Sequence, residues 1–297
     1  MDLRRIRHFT ILAEILNFSR AAERLHMAQP ALSVSIQKLE TELGTKLFER
    51  TSMGVTLTAS GAASLLEARR MLYHGEQMKR AASDVAEGTG GRLRIGFVGS
   101  AIQRLIPELI PVFRSRYPAV ELVLREGTSN RIMEMLSEEA LDIGIVRTPL
   151  LQTTTATLIT LQRDRFMAAV PLTHRLAHQQ RVSLTTLRDE AFVMYSATDA
   201  SGLHSCAMSV CQAAGFIPDI SQEASQISTV VALVECGLGV ALVPEVMRLR
   251  NDLRLAYLEL DDLADSMQTA LALACMPGVE TIAAQRFVDL AKMRSVD

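Results

Sequence analysis

Between Ser19 and Glu40 the chain reads SRAAERLHMAQPALSVSIQKLE. One helix-like run ends near His26, a Gln-Pro pair follows, and a second helix-like run begins at once. Proline has no N–H to donate and is tolerated in the first turn of a helix but not further in, so Pro30 opens the second run. Leu32, Ile36, Leu39 and Leu43 then recur at helical spacing as a core face, and Gly44 suits the left-handed residue that ends a helix. Two helices this close must turn sharply against each other, which leaves few folds open. The residues facing away from the core are Gln29, Ser33, Gln37 and Lys38, a polar row that the fold itself does not use.

The flanking segments narrow the choice. Leu3, Ile6, Phe9, Leu12 and Leu16 predict an amphipathic helix over residues 3–16, and Ser19 is the expected N-cap of a second helix through Leu25. After Gly44, KLFERTSMGVTLT has hairpin composition, with Val55 and Leu57 alternating with threonines around a Thr-Ser-Met-Gly turn. Three helices followed by a β-ribbon make a winged helix-turn-helix, whose second motif helix enters the DNA major groove. Gln29, Ser33 and Gln37 can pair with base edges, Lys38 suits a phosphate, and Arg50 and Thr51 of the wing suit backbone or minor groove. A plain helical hairpin with a solvated face explains the two helices but not the ribbon.

Residues 58–87 read as one long helix. Ala68, Met71, Gly75, Met78, Ala82 and Val85 follow a 3-4-3-4-3 spacing, the seam of a coiled coil, which predicts a dimerisation helix. EGTGG at 87–91 is a linker. Beyond it strands and helices alternate: LRIGFVG, a helix over 101–116, VELVLRE, a helix over 129–139, and LDIGIVR. A second unit follows, with strands near 166–170, 191–195 and 238–243 and helices near 202–214 and 226–236. TALALAC and a helix over 279–293 can close either unit. The alternation predicts a parallel, doubly wound sheet in each.

In such sheets ligands bind beyond the carboxyl ends of the strands. Those ends offer Gly99 and Ser100, Thr128 and Ser129, Arg147, and Ser196 with Thr198. Hydroxyls at helix N-termini present N–H groups to an anion, and Arg147 just past a strand end can neutralise a carboxylate.

Charge supports a division of labour. Residues 1–80 hold 12 Lys and Arg against 8 Asp and Glu, whereas the remaining 217 hold 19 against 25. A basic N-terminal part on an acidic remainder fits nucleic-acid contact. His174 and His178 stand four apart but without an adjacent carboxylate, and read as surface histidines. GLGVALVP precedes a strand and lacks a third glycine, and no G-x-S-x-G elbow occurs, so no metal, cofactor or catalytic residue is expected. Cys206, Cys211, Cys236 and Cys275 show no C-x-x-C spacing and read as free thiols, with a redox-sensing pair as the alternative. No apolar run reaches membrane-spanning length, so a cytoplasmic protein with no membrane partner is expected.

The runs FSRAAERLHMAQPALSVSIQKLETELGTKLFER, GVTLTASG, LRIGFVGS, LDIGIVR and GLGVALVP together resemble the LysR-type transcriptional regulators, over nearly the whole chain and in family order. The resemblance implies an α/β protein: an N-terminal winged helix-turn-helix with a long dimerisation helix, then a C-terminal two-lobed α/β domain like the periplasmic binding proteins. It implies domains at 1–58, 59–87 and 88–297, with one lobe near 92–163 plus 268–297 and the other near 164–267. Promoter DNA, a small inducer such as a carboxylate, and a homodimer or homotetramer are the implied partners. Ser100 with Ala101, Thr128 with Ser129, and the 196–201 loop with Ser196, Thr198 and Ser201 match the family's inducer cleft. One departure stands out. Where many members carry Arg after the serine of ALS this chain has Val34, which suits a thymine methyl, and Ser35 takes a place often held by Gln. A solute-binding protein or an enzyme on the same two-lobed unit needs no residues 1–87.

Overall fold

The computed structural model of the chain describes residues 2–51, 54–87, 91–250, 254–261, 263, 267–278 and 281–293, without the side chains of 50–51, 77 and 79–87. Two compact units are present, Met1–Thr89 with Glu138–Ala140, and Gly90–Ser137 with Leu141–Asp297.

The first unit opens with α1 (Leu3–Ile15), α2 (Phe18–Arg24) and α3 (Gln29–Leu43). Asn17, not Ser19, caps α2, its side chain accepting from the N–H of Arg20 at 3.1 Å. Asparagine caps as well as serine does, and starting two residues earlier buries Phe18. Pro30 lies in the first turn of α3, and Gly44 ends it at φ 69°. Strands β1 (Phe48–Thr51) and β2 (Gly54–Leu57) pair antiparallel as the wing.

Glu40 ties α3 to the wing. Its buried carboxylate accepts from the N–H groups of Leu47 (2.9 Å) and Phe48 (3.3 Å) and from Lys46 Nζ (2.9 Å). Burial pushes its pKa up, but the Lys46 ammonium and the two backbone donors outweigh that and hold it below the ordinary value. The core is Ile6, Phe9, Leu12, Leu32, Ile36, Leu39 and Leu47, with Phe48 edge-on to Phe9 and Phe18.

α4 (Ala59–Glu87) is a single helix of 29 residues. Its expected seam is divided. Ala68 is buried in the winged-helix core, and Gly75 lies so close to the Leu3 side chain that a Cβ would overlap it. Met78 is 72% exposed, and the side chains of Ala82 and Val85 lie outside the described residues. Ala68 and Gly75 of the stripe therefore pack within the chain's own unit, where small residues admit its core and α1, while Met71, like Met78, is exposed.

The second unit holds two hydrophobic cores. One draws on residues 93–161 and 271–291, the other on 166–258. Strands β3 (Arg92–Phe97), β4 (Glu121–Glu126) and β5 (Ile143–Thr148) run parallel in the order β4-β3-β5, with α5 (Leu105–Arg116), α6 (Ser129–Ser137) and α9 (Ile282–Lys292). The expected helix over 101–116 is split, a 3-10 turn at Gly99–Gln103 preceding α5.

The expectation of purely parallel sheets fails at β6 (Thr157–Pro171) and β12 (Gln268–Cys275). These run antiparallel to each other, and β12 also pairs antiparallel with β5. β6 passes between the cores: residues 157–165 pair with β12, while 166–171 pair antiparallel with β10 (Ala241–Pro244) and β11 (Leu255–Leu260). β11 also carries the short parallel β7 (Arg181–Val182). β8 (Ala191–Tyr195) and β9 (Asp219–Ala224) form a parallel pair, and α7 (Ser201–Ala213) and α8 (Ile227–Glu235) complete this half. A strand shared by two lobes can serve as a hinge between them.

Candidate functional site

α3 carries the sequence-predicted DNA-facing residues. Leu32, Ile36 and Leu39 anchor its inner face, which leaves Pro30, Val34, Gln37 and Lys38 exposed and Gln29 and Ser33 half-buried. Val34 is 49% exposed, an apolar side chain held in water. Ser35 points another way, its Oγ lying 2.7 Å from Nδ1 of His8 on α1. The side chains of Arg50 and Thr51 lie outside the described residues.

In the second unit a cleft opens between the two cores, at the carboxyl ends of β3, β4 and β5. It is lined by Ser100, Thr128, Ser129 and Arg147 from the predicted set, and by Asn130 and Gln226, which sequence reasoning missed. α6, α7 and α8 all begin at this cleft, at Ser129, Ser201 and Ile227. The first-turn N–H groups of a helix have no partner within it; Thr128 Oγ1 accepts that of Arg131 at 3.3 Å and the Gln226 carbonyl that of Thr229 at 3.0 Å, and the remaining ones of the three helices lie at the cleft's border. Three helix starts also place the positive ends of three dipoles there.

Arg147 departs from expectation. It sits within β5 and not past it, is almost fully buried, and donates from Nη1 to Asp164 Oδ2 at 2.8 Å and from Nη2 to Ser100 Oγ at 3.0 Å. Burial pulls its pKa down against the opposing pull of Asp164. Its charge is already neutralised, so its work here is to fix Ser100. Ser129 ties α6 to β5, accepting from the N–H of Arg147 at 2.9 Å.

The other predicted residues do not line the cleft. Ala101 is buried behind it. Ser196 bonds to Thr198 Oγ1 and Asp199, each at 3.1 Å, closing a turn of its own. Ser201 accepts from Asn130 Nδ2 at 3.3 Å, and the same nitrogen donates to the carbonyl of Thr198 at 2.9 Å, a latch from one lobe to the other. Gly202 packs so tightly on the carbonyl of Pro149 that a Cβ would overlap it. The free volume of this cleft is about 40 Å³, room for a few waters.

His174 is not a surface residue: it is largely buried, with Nε2 3.1 Å from Glu190 Oε1. Among the described residues no group of three or more His, Cys, Asp or Glu is placed to hold a metal. Burial pushes the Cys211 thiol up to about 12 and raises Cys206 as well, which leaves little thiolate for a redox switch. Among the described residues no helix is long and apolar enough to cross a membrane.

A winged helix-turn-helix joined to a two-lobed domain with a small cleft between its lobes defines a DNA-binding regulator with an effector domain. Residues 3–62 match the bacterial regulatory helix-turn-helix protein of the lysR family, and residues 86–295 match the LysR substrate binding domain. The chain belongs to the LysR family of transcriptional regulators, which act by binding DNA and not as enzymes. It is 35% identical to the HTH-type transcriptional regulator AlsR of Bacillus subtilis (strain 168), over 92% of this chain and 90% of that one. It is 33% identical to BudR of Raoultella terrigena over 98% and 100%. Among solved structures, the LysR family regulator CbnR covers the whole of both chains at a TM-score of 0.77 and 22% identity, a likeness of fold. Full-length BenM matches over 99% of this chain and 96% of its own at 0.59 and 29%.

Proposed function

We propose that the chain binds promoter DNA as a homodimer joined through residues 59–87, and as a homotetramer of two such pairs, in the cytoplasm. Gln29, Ser33, Val34 and Gln37 read bases, Pro30 lets the first turn of α3 approach the groove, and Lys38, Arg50 and Thr51 meet the backbone. The inducer is a small carboxylate held between the lobes by Ser100, Thr128 and Ser129, with Ala101 behind them. Ser196, Thr198 and Ser201 form the rim that moves with the second lobe.

The observation that carries the ligand class is the convergence of α6, α7 and α8 on one cleft whose lining arginine is already paired. N–H donors fixed at helix starts favour an anion, and the Glu126 carboxylate beside Gly99 marks the side of the cleft that the anion must avoid. The small free volume supports a coupling of binding to movement: a carboxylate of several carbons enters only as the Asn130 latch and the Gly202–Pro149 contact part. A ligand shifts an equilibrium only by binding the two states unequally, and a cleft that is nearly closed without ligand meets that condition.

Thermal shift of the full chain against a panel of small mono- and dicarboxylates tests this reading. A carboxylate should raise the melting midpoint, its amide should not, and Thr128→Val should abolish the effect. Amides acting as well as acids would sink the anion assignment.

A further inference from the structure

α3 borders a groove on the flank that carries Val34 and Lys38, away from Gln29, Ser33 and Gln37. Ala31, Val34, Ser35 and Lys38 form one bank; the first turns of α1, with Arg4, Arg7 and His8, and the α2–α3 turn, with Arg24 and His26, form the rest. Arg4, Arg7, Arg24 and Lys38 are exposed, and among the described residues none has a side-chain hydrogen bond or an ion pair. Arg5, Lys46 and Arg70 of the same unit are paired instead, with Glu42, Glu40 and Glu67. Among the described residues the one carboxylate lining the groove is Asp2, which caps α1 by accepting from the N–H of Arg4 at 2.9 Å. His8 registers the local field: burial first, then Arg4, lowers its pKa.

Four unpaired cations along one groove repel each other and contribute nothing to the packing of the unit. Such a strip matches a polyanion that carries charge at regular intervals. We propose that this groove seats the sugar–phosphate strand beside α3, with Arg4, Arg7 and Arg24 joining Lys38 as phosphate contacts. The inference rests on α3 being the DNA-reading helix. It adds three contacts from α1 and α2 that fix how α3 lies against the duplex, since backbone contacts set register while base contacts set sequence.

The test uses the full chain and two fluorescent duplexes of equal length, one selected by the protein from a random pool and one random. The slope of log affinity against log salt counts neutralised phosphates at about 0.9 each. Arg4→Gln/Arg7→Gln/Arg24→Gln should make that slope shallower by roughly 2–3 and weaken both duplexes by the same factor. The triple Arg→Lys variant should keep the slope, which separates lost charge from lost structure. Arg114→Gln/Arg116→Gln in α5 should leave it unchanged. A Gln triple with the wild-type slope, or one that loses affinity for the selected site alone, overturns the phosphate seat while leaving α3 as the reader. A wild-type chain whose affinity does not depend on salt overturns both.

Discussion

Nη1 of Arg147 lies 2.8 Å from Oδ2 of Asp164, and the two side chains are only 3% and 4% exposed. Asp164 sits on β6 where that strand passes from one core to the other, and Gln162 Nε2 donates to its second oxygen at 2.8 Å. The pair thus joins the floor of the cleft to the shared strand. Removing one partner of a buried pair strands the other charge in a low-dielectric interior, at a cost of about 3–5 kcal/mol. Asp164→Ala should lower the stability of the second unit by that amount in chemical denaturation. Arg147→Met/Asp164→Leu should recover most of it while loosening Ser100. A double variant no more stable than the single would contradict this account of the pair.

Gly202 is the point on which the lobes close. Its Cβ-less backbone meets the Pro149 carbonyl, so Gly202→Ala should act as a wedge. Overpacking of this kind costs about 1–3 kcal/mol. Limited proteolysis and the thermal midpoint should both report a looser second unit, and the protected pattern on DNA should shift toward that of the liganded protein. A variant that melts and footprints like wild type without ligand would show that the contact yields freely.

Glu40 supports the wing through two backbone N–H groups and Lys46. Glu40→Ala leaves those donors unpaired and should cost about 2–3 kcal/mol. Because the folded carboxyl titrates below the ordinary value of 4.5, the folded state holds fewer protons than the unfolded one in that range. Its contribution is complete above that value and is lost as the pH falls through it toward the lower folded pKa. The acid limb of stability against pH should therefore be flatter in Glu40→Ala, and equal limbs would remove Glu40 from the wing's support.

How much of this is legible in the chain follows from distance along it. Pro30 and Gly44 mark the ends of α3 because each acts through its own backbone, so local chemistry suffices. The hydroxyls at Ser100, Thr128 and Ser129 are legible for the same reason, standing where strands give way to helices. Residues 157–165 of β6 are not, because Leu158, Arg163 and Arg165 are exposed and the apolar pattern begins only at Phe166. With that half-strand hidden, Asp164 could not be matched to Arg147, and the arginine reads as free to meet a ligand. Asn130 and Gln226 are invisible for a different reason. Asn130 latches onto a carbonyl 68 positions away, a relation created by the folding of both lobes. The antiparallel entry of β12 likewise has no local signal, since a buried apolar strand reads the same in either direction.

Coupling of the cleft to DNA is what makes the chain a regulator. The measurement is a footprint of the full chain on a selected DNA site, with and without a carboxylate that raises its melting midpoint. The result expected is a ligand-dependent change in the protected or hypersensitive positions, lost in Thr128→Val while DNA binding is retained. A ligand that binds the cleft and leaves both footprint and affinity unchanged would contradict it.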